Sequence, residues 1–490
     1  MSKTAIFPIL QLSEGPLNEQ VYITIRELIL NHTLSSGMKL PSSRNLSEMM
    51  MVSRNTIIQG IDRLIDEGYL KTKRGAGTFV SQSLPDQAET TRPLIHPKVK
   101  NTSPPNLSQA IQSLQPQWQQ YQRRSREQRT FKVGVGCTDL FPQAIWSRIL
   151  GRVSRHSHRA IATYNDVMGY LPLREALSHY LLTTRGVKSD PSRIMIVNGT
   201  QQAINLTALV LLNQGDEVII DDPGYDGAIG AFLSQNIKIH RLQADQEGMN
   251  INDAEEHFSH AKLIYTTPSH HFPLGDTMSL ARRLQLLEWA NAGNRYIFED
   301  DYNGEFRYHQ RSIQALQGLD QYERVIYSGT FSKMFYPGFR MGYIVIPEAL
   351  VEAFKIAKNY ADACNSYLEQ AVLSTFIQEG EYAKHVRRVR RACLERKEAL
   401  YQALQTHLPG IFTLPISDSG IHSIAWVNNN ADYPLLLDAI EALNLGVQAL
   451  DRYRSAPSNQ KALLFGFAAH SPAFIKEKIK MLSEYFYQHR

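Results

Sequence analysis

Five short, largely apolar runs beyond residue 130 constrain the fold of this 490-residue chain more than any other feature. The runs are Ile194–Val197, Glu217–Ile220, Leu263–Tyr265, Tyr296–Phe298 and Val325–Tyr327. Each has the length of a strand and is nearly continuous in apolar residues, which is typical of strands buried on both faces. Helical patterns such as residues 201–212 and 279–292 lie between them. This alternation predicts an α/β domain with a mainly parallel sheet, in which ligands bind at the carboxyl ends of the strands.

Composition and charge describe an ordinary globular protein with one basic end. Hydrophobic residues make up 43% and charged residues 20%, and the length allows more than one domain. Net charge is +2 over residues 1–80 (nine Lys and Arg against seven Asp and Glu), +4 over residues 81–130 (seven against three) and −1 over the remainder (36 against 37). A basic N-terminal quarter is consistent with a polyanionic partner.

Targeting and metal-binding signals are missing from the sequence. It contains neither an apolar run of membrane-spanning length nor the apolar segment of a signal peptide. Its three cysteines, Cys137, Cys364 and Cys393, are widely spaced, which suggests neither a disulfide framework nor a zinc cluster. We therefore expect a cytoplasmic protein with no membrane partner and no metal.

The first eighty residues have the pattern of a small helical domain with a wing. Residues 17–30 carry apolar side chains at helical spacing. A second helix begins near Ser42 or Ser43, either of which can cap it, and a third opens at Ser53. Residues 69–80 predict two short strands around a basic glycine turn.

Two short helices joined by a tight turn allow the second to enter the major groove of DNA. At its N-terminus Arg can bind guanine, Asn can bind adenine, and Ser or Thr can hold a phosphate. Glycines in a wing let the backbone approach the duplex, and an arginine there can enter a minor groove. Arg26 and Arg63 are interpreted as surface charges. The predicted DNA-binding residues are Arg44, Ser53, Arg54, Asn55, Thr56, Arg74, Gly75 and Gly77.

Four phrases in this region resemble the winged helix of the GntR family of bacterial repressors. They are Leu40–Arg44, Ser53–Thr56, Glu67–Leu70 and Gly75–Val80. The resemblance implies a GntR-type winged helix-turn-helix domain over residues 1–80 that binds double-stranded DNA. The alternative is a helical protein-interaction domain with ordinary solvated charges.

Periodicity fades between residues 81 and 130, where prolines recur and Gln, Ser, Thr and Asn are frequent. This composition favours an extended, flexible linker. Arg123, Arg124, Arg126 and Arg129 lie near its end, where a short helix is one possibility. They either contact DNA or a second subunit, or form a solvated face. The predicted domains are therefore residues 1–80, the linker 81–130 and the large domain 131–490.

Residues 328–343 place Lys333 among hydroxyl-bearing residues, with Arg340 seven positions later. A lysine used as a Schiff-base nucleophile needs an aldehyde held beside it, and pyridoxal 5'-phosphate (PLP) is the usual one. The phosphate of PLP in turn needs hydroxyl donors and a nearby arginine. The segment therefore predicts a PLP site in which Lys333 is the catalytic residue.

Three further segments follow predicted strands. Gly199, Thr200 and Gln201 open a helix, and backbone N–H groups at a helix N-terminus suit a phosphate; a plain capping turn is the alternative. Tyr225 is positioned either to stack on a pyridine ring or to pack in the core. Within Glu299–Tyr302, a carboxylate facing the ring nitrogen would keep it protonated; helix capping is the alternative for the acidic pair.

These segments resemble fold-type I aminotransferases over about residues 130–490, and more closely the MocR subfamily of GntR regulators. The resemblance implies that Lys333 binds PLP covalently. Asp300 would then pair with the ring nitrogen, Tyr302 would contact the phenolic oxygen and Tyr225 would stack on the ring. The matching phrases are Gly199–Gln202, Asp222–Tyr225, Thr267–His270, Glu299–Tyr302 and Gly329–Lys333. The residues implied around the phosphate are Gly199, Thr200, Gln201, Thr330 and Arg340.

Two positions depart from the aminotransferase pattern. Many aminotransferases carry an asparagine directly before the proline of a Pro-x-Gly turn, where this chain has Phe272. Many also carry a carboxylate-binding arginine two residues before Gly-Phe-Ala, where this chain has Leu464. Arg452 and Arg454 could replace that arginine or be surface charges. These departures argue against an ordinary α-amino acid effector and against efficient transamination.

The two halves together predict a PLP-dependent transcriptional regulator that senses a small molecule, either PLP itself or an amine or amino compound. Two other interpretations stay open: a working aminotransferase with a vestigial DNA-binding domain, and a DNA-binding protein whose large domain only dimerises. Fold-type I enzymes build each cofactor site at a subunit interface. The resemblance therefore implies a homodimer and an operator with two half-sites.

Overall fold

The computed structural model of the chain falls into two compact units, residues 1–106 and residues 107–490. It describes residues 15–73, 75–85, 106–125, 130–156, 163–164, 166–309 and 313–490. The border between the units lies inside the segment 81–130 whose composition predicts a linker. Within the described residues, no helix combines the length and the apolar character needed to span a bilayer.

The first unit contains the predicted winged helix. Its elements are α1 (Leu17–Leu30), α2 (Ser43–Met50), α3 (Arg54–Asp66), β1 (Leu70–Lys73) and β2 (Gly77–Val80). The two strands form an antiparallel hairpin with Leu70 opposite Val80. Ser42 and Ser53 begin α2 and α3, because each side-chain oxygen accepts a hydrogen bond of 3.2 Å from the backbone N–H three residues later.

One apolar cluster holds these three helices and the hairpin together. The amphipathic spacing of α1 and α3 places their apolar side chains on facing sides. A Cβ at Gly60 would lie 2.6 Å from Cγ1 of Val21, so the two helices are in direct contact at this glycine. The cluster includes Val21, Ile25, Leu46, Met50, Ile57, Leu64 and Leu70.

The second unit is built on an eight-stranded sheet. Its strands are β3 (Ile194–Val197), β4 (Glu217–Asp222), β5 (Lys238–Asp245), β6 (Gly248–Met249), β7 (Leu263–Thr266), β8 (Tyr296–Asp300), β9 (Val325–Thr330) and β10 (Gly342–Val345). Their spatial order is β3-β10-β9-β8-β7-β4-β5-β6. The strands β5, β4, β7, β8 and β9 run parallel, whereas β10 is antiparallel to both of its neighbours. The predicted mainly parallel sheet is confirmed.

Helices cover both faces of this sheet, and a second sheet of four strands completes the unit. Successive residues of one strand enter different apolar clusters, Ile196 one and Val197 the other, as expected of a strand buried on both faces. The small sheet has the order β11-β12-β14-β13, with β11 (Phe412–Thr413), β12 (His422–Val427), β13 (Gln448–Ala449) and β14 (Ala462–Gly466). The helices are α4 (Gln109–Ser125), α5 (Gln143–His156), α6 (Leu171–Arg185), α7 (Thr200–Leu211), α8 (Asp226–Leu233), α9 (Ile251–His257), α10 (Leu280–Ala292), α11 (Leu316–Leu319), α12 (Val351–Asp362), α13 (Tyr367–Gln378), α14 (Glu381–His407), α15 (Tyr433–Ala442) and α16 (Pro472–His489).

Helix α4 lies inside the segment that we predicted to be an extended linker. The helix packs against α8, where the hydroxyl of Ser113 lies 3.4 Å from the carbonyl oxygen of Leu233. Glutamine has a good intrinsic helix propensity, which explains why a Gln-rich stretch forms a helix here. The extended prediction is therefore wrong for residues 109–118, whereas the short helix considered for residues 119–129 is present as far as Ser125. Arg126 and Arg129 lie outside the described residues.

Candidate functional site

Three consecutive acidic residues lie at the end of strand β8, with Asp301 directly after its last residue, and each has a different role. Glu299 accepts hydrogen bonds of 2.8 and 2.9 Å from the backbone N–H groups of Leu316 and Gln317 and so caps α11. The carboxylate of Asp301 accepts a 2.7 Å bond from Arg185. Since side chains alternate along a strand, Asp300 points the opposite way from both of its neighbours. Of the three, Asp300 is therefore the one free to serve a site.

Asp300 is buried and only partly satisfied. Its Oδ2 accepts a 2.7 Å hydrogen bond from the hydroxyl of Tyr265. Its Oδ1 has no hydrogen-bond partner among the described residues. Burial raises the pKa of this carboxyl to about 7, although Tyr265 and Lys333 lower it. A buried carboxyl oxygen that lacks a partner suits a protonated ring nitrogen.

Lys333 lies in the same electrostatic environment. Its Nζ donates a 2.8 Å hydrogen bond to the carbonyl oxygen of Gly134, and a Cβ at Gly134 would lie 3.3 Å from that nitrogen. Burial lowers the pKa of Lys333; Asp300 raises it and Arg340 lowers it further. A lower pKa increases the fraction of neutral amine, which is the nucleophilic form.

A glycine and an arginine form the predicted phosphate corner. Gly199 directly precedes α7 with a φ of +81°, and a Cβ there would lie 3.4 Å from the guanidinium of Arg340. Arg340 donates a 2.8 Å bond to the carbonyl oxygen of Asn198. Gly342 lies opposite Val197 on one side and Thr330 on the other, which brings Thr330 towards the start of α7. The corner thus combines helix N–H groups, a hydroxyl and a cation, as a phosphate requires.

Two further residues predicted for this corner lie at the start of α7. Gln201 uses one N–H of its side-chain amide to donate a 2.9 Å bond to the carbonyl oxygen of Gly227. Thr200 is the first residue of α7 and is half-buried. Asp362 stabilises this corner, because its carboxylate accepts 2.8 Å bonds from the side-chain amides of Asn198 and Gln202.

Aromatic rings form the wall beside Asp300. Tyr225 stacks on Tyr265 with ring centroids 6.4 Å apart and meets Phe272 edge-on at 5.7 Å. Tyr302 lies 5.9 Å from Phe272, and its buried hydroxyl has no hydrogen-bond partner among the described residues. The position before Pro273 therefore presents a ring rather than an amide, and Tyr302 retains a hydroxyl that a phenolic oxygen could satisfy.

These features fit PLP. The unpartnered Oδ1 of Asp300 suits the ring nitrogen, and the hydroxyl of Tyr302 suits the phenolic oxygen. Tyr225 offers a ring face, and the corner formed by Gly199, Thr330 and Arg340 offers a phosphate site. When bound, PLP supplies an aldehyde carbon that combines with primary amines.

The predicted DNA-reading residues lie at the start of α3. Arg54 and Asn55 are exposed, whereas Thr56 is half-buried and its hydroxyl lies 2.7 Å from that of Ser53. Arg54 donates a 3.1 Å bond to the hydroxyl of Ser43, which holds its guanidinium across the N-terminus of α2. Arg44 is exposed, with Glu48 at 3.6 Å.

The wing has the backbone that a close approach to DNA needs. Gly75 and Gly77 have φ angles of +80° and +112°, which side-chain-bearing residues rarely adopt. Lys39 and Lys73, which we did not single out from the sequence, lie 5.9 and 5.3 Å from the ring of Phe79 and add positive charge to the wing. Arg74 lies outside the described residues.

Arg26 is half-buried and Arg63 is exposed, and both contact other residues of the winged helix. Arg26 donates a 2.9 Å bond to the hydroxyl of Tyr69. Arg63 pairs with Glu67 at 3.0 Å and lies 3.9 Å from the ring centroid of Tyr22. These contacts hold α1 against the end of α3, which agrees with the interpretation that neither arginine contacts DNA.

Comparison with known proteins assigns a family to each of the two parts of the chain. The family model for aminotransferase class I and II matches residues 132–462, and that for bacterial regulatory proteins of the gntR family matches residues 17–80. The chain is 34% identical to the probable rhizopine catabolism regulatory protein MocR of Rhizobium meliloti, over 97% of this chain and 94% of that protein. The chain belongs to the MocR subfamily of GntR transcriptional regulators.

Other relatives agree with this assignment. The HTH-type transcriptional regulator TauR of Rhodobacter capsulatus is 31% identical over 80% of each chain. The crystal structure of a kynurenine aminotransferase from Pyrococcus horikoshii superposes with a TM-score of 0.68 at 27% identity, over 76% of this chain and 94% of that one. Homologues with this aminotransferase fold are PLP-dependent, and the helix-turn-helix domain of this MocR-type chain is a DNA-binding domain.

The position of the missing carboxylate-binding arginine is apolar in three dimensions as well. Leu464 is fully buried in β14 and belongs to a cluster with Ile424 and Leu450. The two substitutes that the sequence suggested are engaged elsewhere. Arg452 pairs with Asp226 at 2.9 Å, and Arg454 donates a 2.7 Å bond to the carbonyl oxygen of Gln460.

Several residues of the site carry no sequence signal strong enough to find them. Tyr265 belongs to a continuous apolar strand, and nothing in the sequence separates it from its neighbours. Gly134 and Gly136 receive Lys333, and a Cβ at Gly136 would lie 2.0 Å from the carbonyl oxygen of Lys333. The Gly-x-Gly spacing of residues 134–136 is a weak signal for a close backbone contact. It was not recognised because it lies at the border between the predicted linker and the large domain.

Proposed function

We propose that this MocR-type regulator binds PLP through Lys333 and changes its affinity for operator DNA when its large domain is occupied by PLP or by a small amine effector. One observation carries the proposal. A nearly complete PLP-binding residue set lies on the same chain as a winged helix, while Leu464 stands at the position that in many aminotransferases holds the substrate carboxylate.

Each cofactor residue has a proposed role that its position supports. Lys333 attaches PLP covalently, Asp300 accepts a hydrogen bond from the ring nitrogen and Tyr302 contacts the phenolic oxygen. Tyr225 packs on the ring face. The phosphate is held by Gly199, Thr200, Gln201, Thr330 and Arg340. Because two of these groups are buried and unpartnered in the described residues, occupancy by PLP satisfies them.

The winged helix supplies the DNA contacts in this proposal. Arg54 and Asn55 read base edges from the start of α3, while Ser53, Thr56 and Arg44 hold phosphates. Gly75 and Gly77 allow the wing backbone to approach the duplex, and Arg74 enters a minor groove. Because its partner is DNA, we place the protein in the cytoplasm.

We further propose a homodimer that binds an operator with two half-sites. The support is the resemblance to fold-type I enzymes, which complete each cofactor site with a second subunit, and the two-fold symmetry that most DNA-binding dimers share with their operators. Light scattering at micromolar concentration is expected to return twice the 55.7 kDa chain mass. A monomer with a fully loaded PLP site would contradict this part of the proposal.

The proposal as a whole is tested by measuring operator affinity in three forms of the protein: free of PLP, loaded with PLP, and loaded with PLP in the presence of candidate amines. We expect at least one of the additions to change the affinity, since a ligand shifts an equilibrium only through its different affinities for the two states. A change on PLP addition alone identifies PLP as the signal. A change only on amine addition identifies an amine effector.

Two results would contradict the proposal that this protein is a ligand-dependent regulator. One is equal operator affinity in all three forms. The other is rapid conversion of an amino donor to its oxo product with no effect on DNA binding, which would favour the working aminotransferase. The test separates these outcomes because product formation and DNA affinity are measured on the same preparation.

A further inference from the structure

A buried histidine beside the cofactor site presents a fixed hydrogen-bond acceptor. His422 begins β12 and is 4% exposed. Its Nε2 lies 3.0 Å from the carbonyl oxygen of Pro273. Since a carbonyl oxygen can only accept, Nε2 carries the proton. Burial lowers the pKa of His422 to about 4, so the ring is neutral and its Nδ1 bears a lone pair.

That lone pair has no partner. Nδ1 of His422 is buried and makes no hydrogen bond among the described residues. Buried polar atoms of this kind are normally satisfied by a ligand or by water. Because Nδ1 can only accept, whatever satisfies it must be a donor. A carboxylate, which has no hydrogen to donate, cannot do so.

The histidine belongs to the same space as the proposed cofactor residues. Its ring lies 5.7 Å from that of Phe272, which in turn lies 5.9 Å from Tyr302. Lys333 contributes to the lowered pKa of His422. A second ring, His270, lies 5.6 Å from His422 and also has an unpartnered buried nitrogen, Nε2.

The contacts of His422 fix its tautomer, whereas those of His270 allow either tautomer. Nδ1 of His270 lies 2.9 Å from the hydroxyl of Ser419, and a hydroxyl can either donate or accept. Nε2 of His270 is therefore an acceptor or a donor according to the tautomer. One hydroxyl group satisfies both rings when Nε2 of His270 carries the proton, since it can then donate to His422 and accept from His270.

The small sheet presents an apolar wall beside His422. His422 lies opposite Gly466 and Ile424 lies opposite Leu464 across the β12–β14 pair, so the side chains of His422, Ile424 and Leu464 project from one face of the small sheet. Leu464 and Ile424 make that face apolar next to the imidazole. The arginines in the neighbouring segment are already occupied, Arg452 by Asp226 at 2.9 Å and Arg454 by Asp451 at 3.7 Å.

We propose that the effector of this protein is a hydroxylated amine without a carboxylate, whose hydroxyl group donates a hydrogen bond to Nδ1 of His422. The amine part rests on the proposed function, because PLP recruits primary amines. The hydroxyl part rests on the acceptor at His422 and on the apolar residue at position 464. His422 is thus a specificity-determining residue.

Three probes with one carbon skeleton test the proposal on the full-length, PLP-loaded protein. They are 2-amino-1,3-propanediol, with two hydroxyls; serine, in which one hydroxymethyl is a carboxylate; and 2-aminopropane, with neither group. Affinity is measured by calorimetry and by the change in cofactor absorbance. The diol is expected to bind about tenfold tighter than 2-aminopropane, as one buried hydrogen bond to an otherwise unpaired group provides. It is also expected to bind tighter than serine, which keeps one hydroxyl but brings a carboxylate to the apolar wall at Leu464.

Variants test whether His422 and Leu464 are responsible for the preference for the diol. His422→Phe keeps a ring of similar shape without the acceptor and is expected to reduce the preference for the diol over 2-aminopropane to within about twofold. His422→Gln, which restores an acceptor, should recover part of that preference. Leu464→Arg is expected to shift the preference towards serine. His179→Phe, at an exposed position of α6, is the matched control. Unchanged PLP absorbance reports that each variant is folded.

Several outcomes would overturn the inference. Tighter binding of serine by the unaltered protein would mean that an arginine supplies a carboxylate anchor after all. Equal binding of the diol and 2-aminopropane would mean that water satisfies His422. Failure of all three probes to bind would overturn it too. Failure of the proposed function gives a different result, namely a diol that binds with the expected preference and leaves operator affinity unchanged.

Discussion

Lys333→Ala is expected to abolish covalent attachment of PLP, so that borohydride treatment no longer fixes the cofactor to the chain and dialysis removes it. The reason is the position of this amine. Lys333 is half-buried near Asp300 and Arg340, and this burial lowers its pKa, which favours the neutral nucleophile that an aldehyde requires. The phosphate corner and Asp300 remain, so weak, reversible binding of PLP should persist. Absorbance before and after dialysis, with mass spectrometry of the reduced protein, measures the effect.

The matched control is Lys355→Ala. Lys355 is a partly exposed lysine that pairs with Glu352 at 2.6 Å on helix α12. Its removal should leave the yellow colour and the reducible bond intact. A Lys333→Ala protein that stays yellow and is still modified by borohydride would show that another amine holds the cofactor, and the assignment of Lys333 would be wrong.

The second large effect is expected in DNA binding. Arg54→Ala should weaken operator binding by about 1–3 kcal/mol and relax specificity at one base position if Arg54 reads a base. If it holds a phosphate instead, binding should weaken on all sequences alike and the salt slope should fall by about one. Arg54 is positioned for either role, since it is exposed at the start of α3 and its guanidinium is held by Ser43 at 3.1 Å.

Arg63→Ala is the control for this experiment. It removes the same charge from the same helix, but Arg63 faces Glu67 and Tyr22 rather than the predicted DNA surface. Operator affinity of this variant should stay close to that of the parent once folding has been verified by circular dichroism. Unchanged affinity and salt slope in the double variant Arg44→Ala/Arg54→Ala would refute the DNA-binding assignment of α3.

Much of this architecture could be predicted because local patterns carry it. The winged helix follows from the serines that cap α2 and α3 and from the glycines of the wing. The parallel sheet follows from short apolar runs that recur between helices. Asp300 could be selected by resemblance, but the roles of its neighbours could not. The alternative of helix capping is correct for Glu299, which caps α11, whereas Asp301 forms a buried ion pair with Arg185.

The remainder depends on contacts between residues that are far apart in sequence. Gly134 meets Lys333 across 199 positions, and His422 acquires its tautomer from Pro273 across 149 positions. No local pattern encodes either contact. The first part of helix α4 was missed for another reason, since prolines and glutamines in its surroundings have the composition of a linker, while its packing on α8 is a tertiary contact.

The two sheets of the second unit carry different parts of the proposed site, and this has an evolutionary consequence. The proposed cofactor residues belong to the eight-stranded sheet and its connections, whereas His422 and Leu464 belong to the four-stranded sheet. Substitutions on the smaller sheet can therefore change which ligand is bound while the proposed PLP-binding residues of the larger sheet stay the same. Gene duplication followed by a few exchanges on β12 and β14 is then a short route to new regulators.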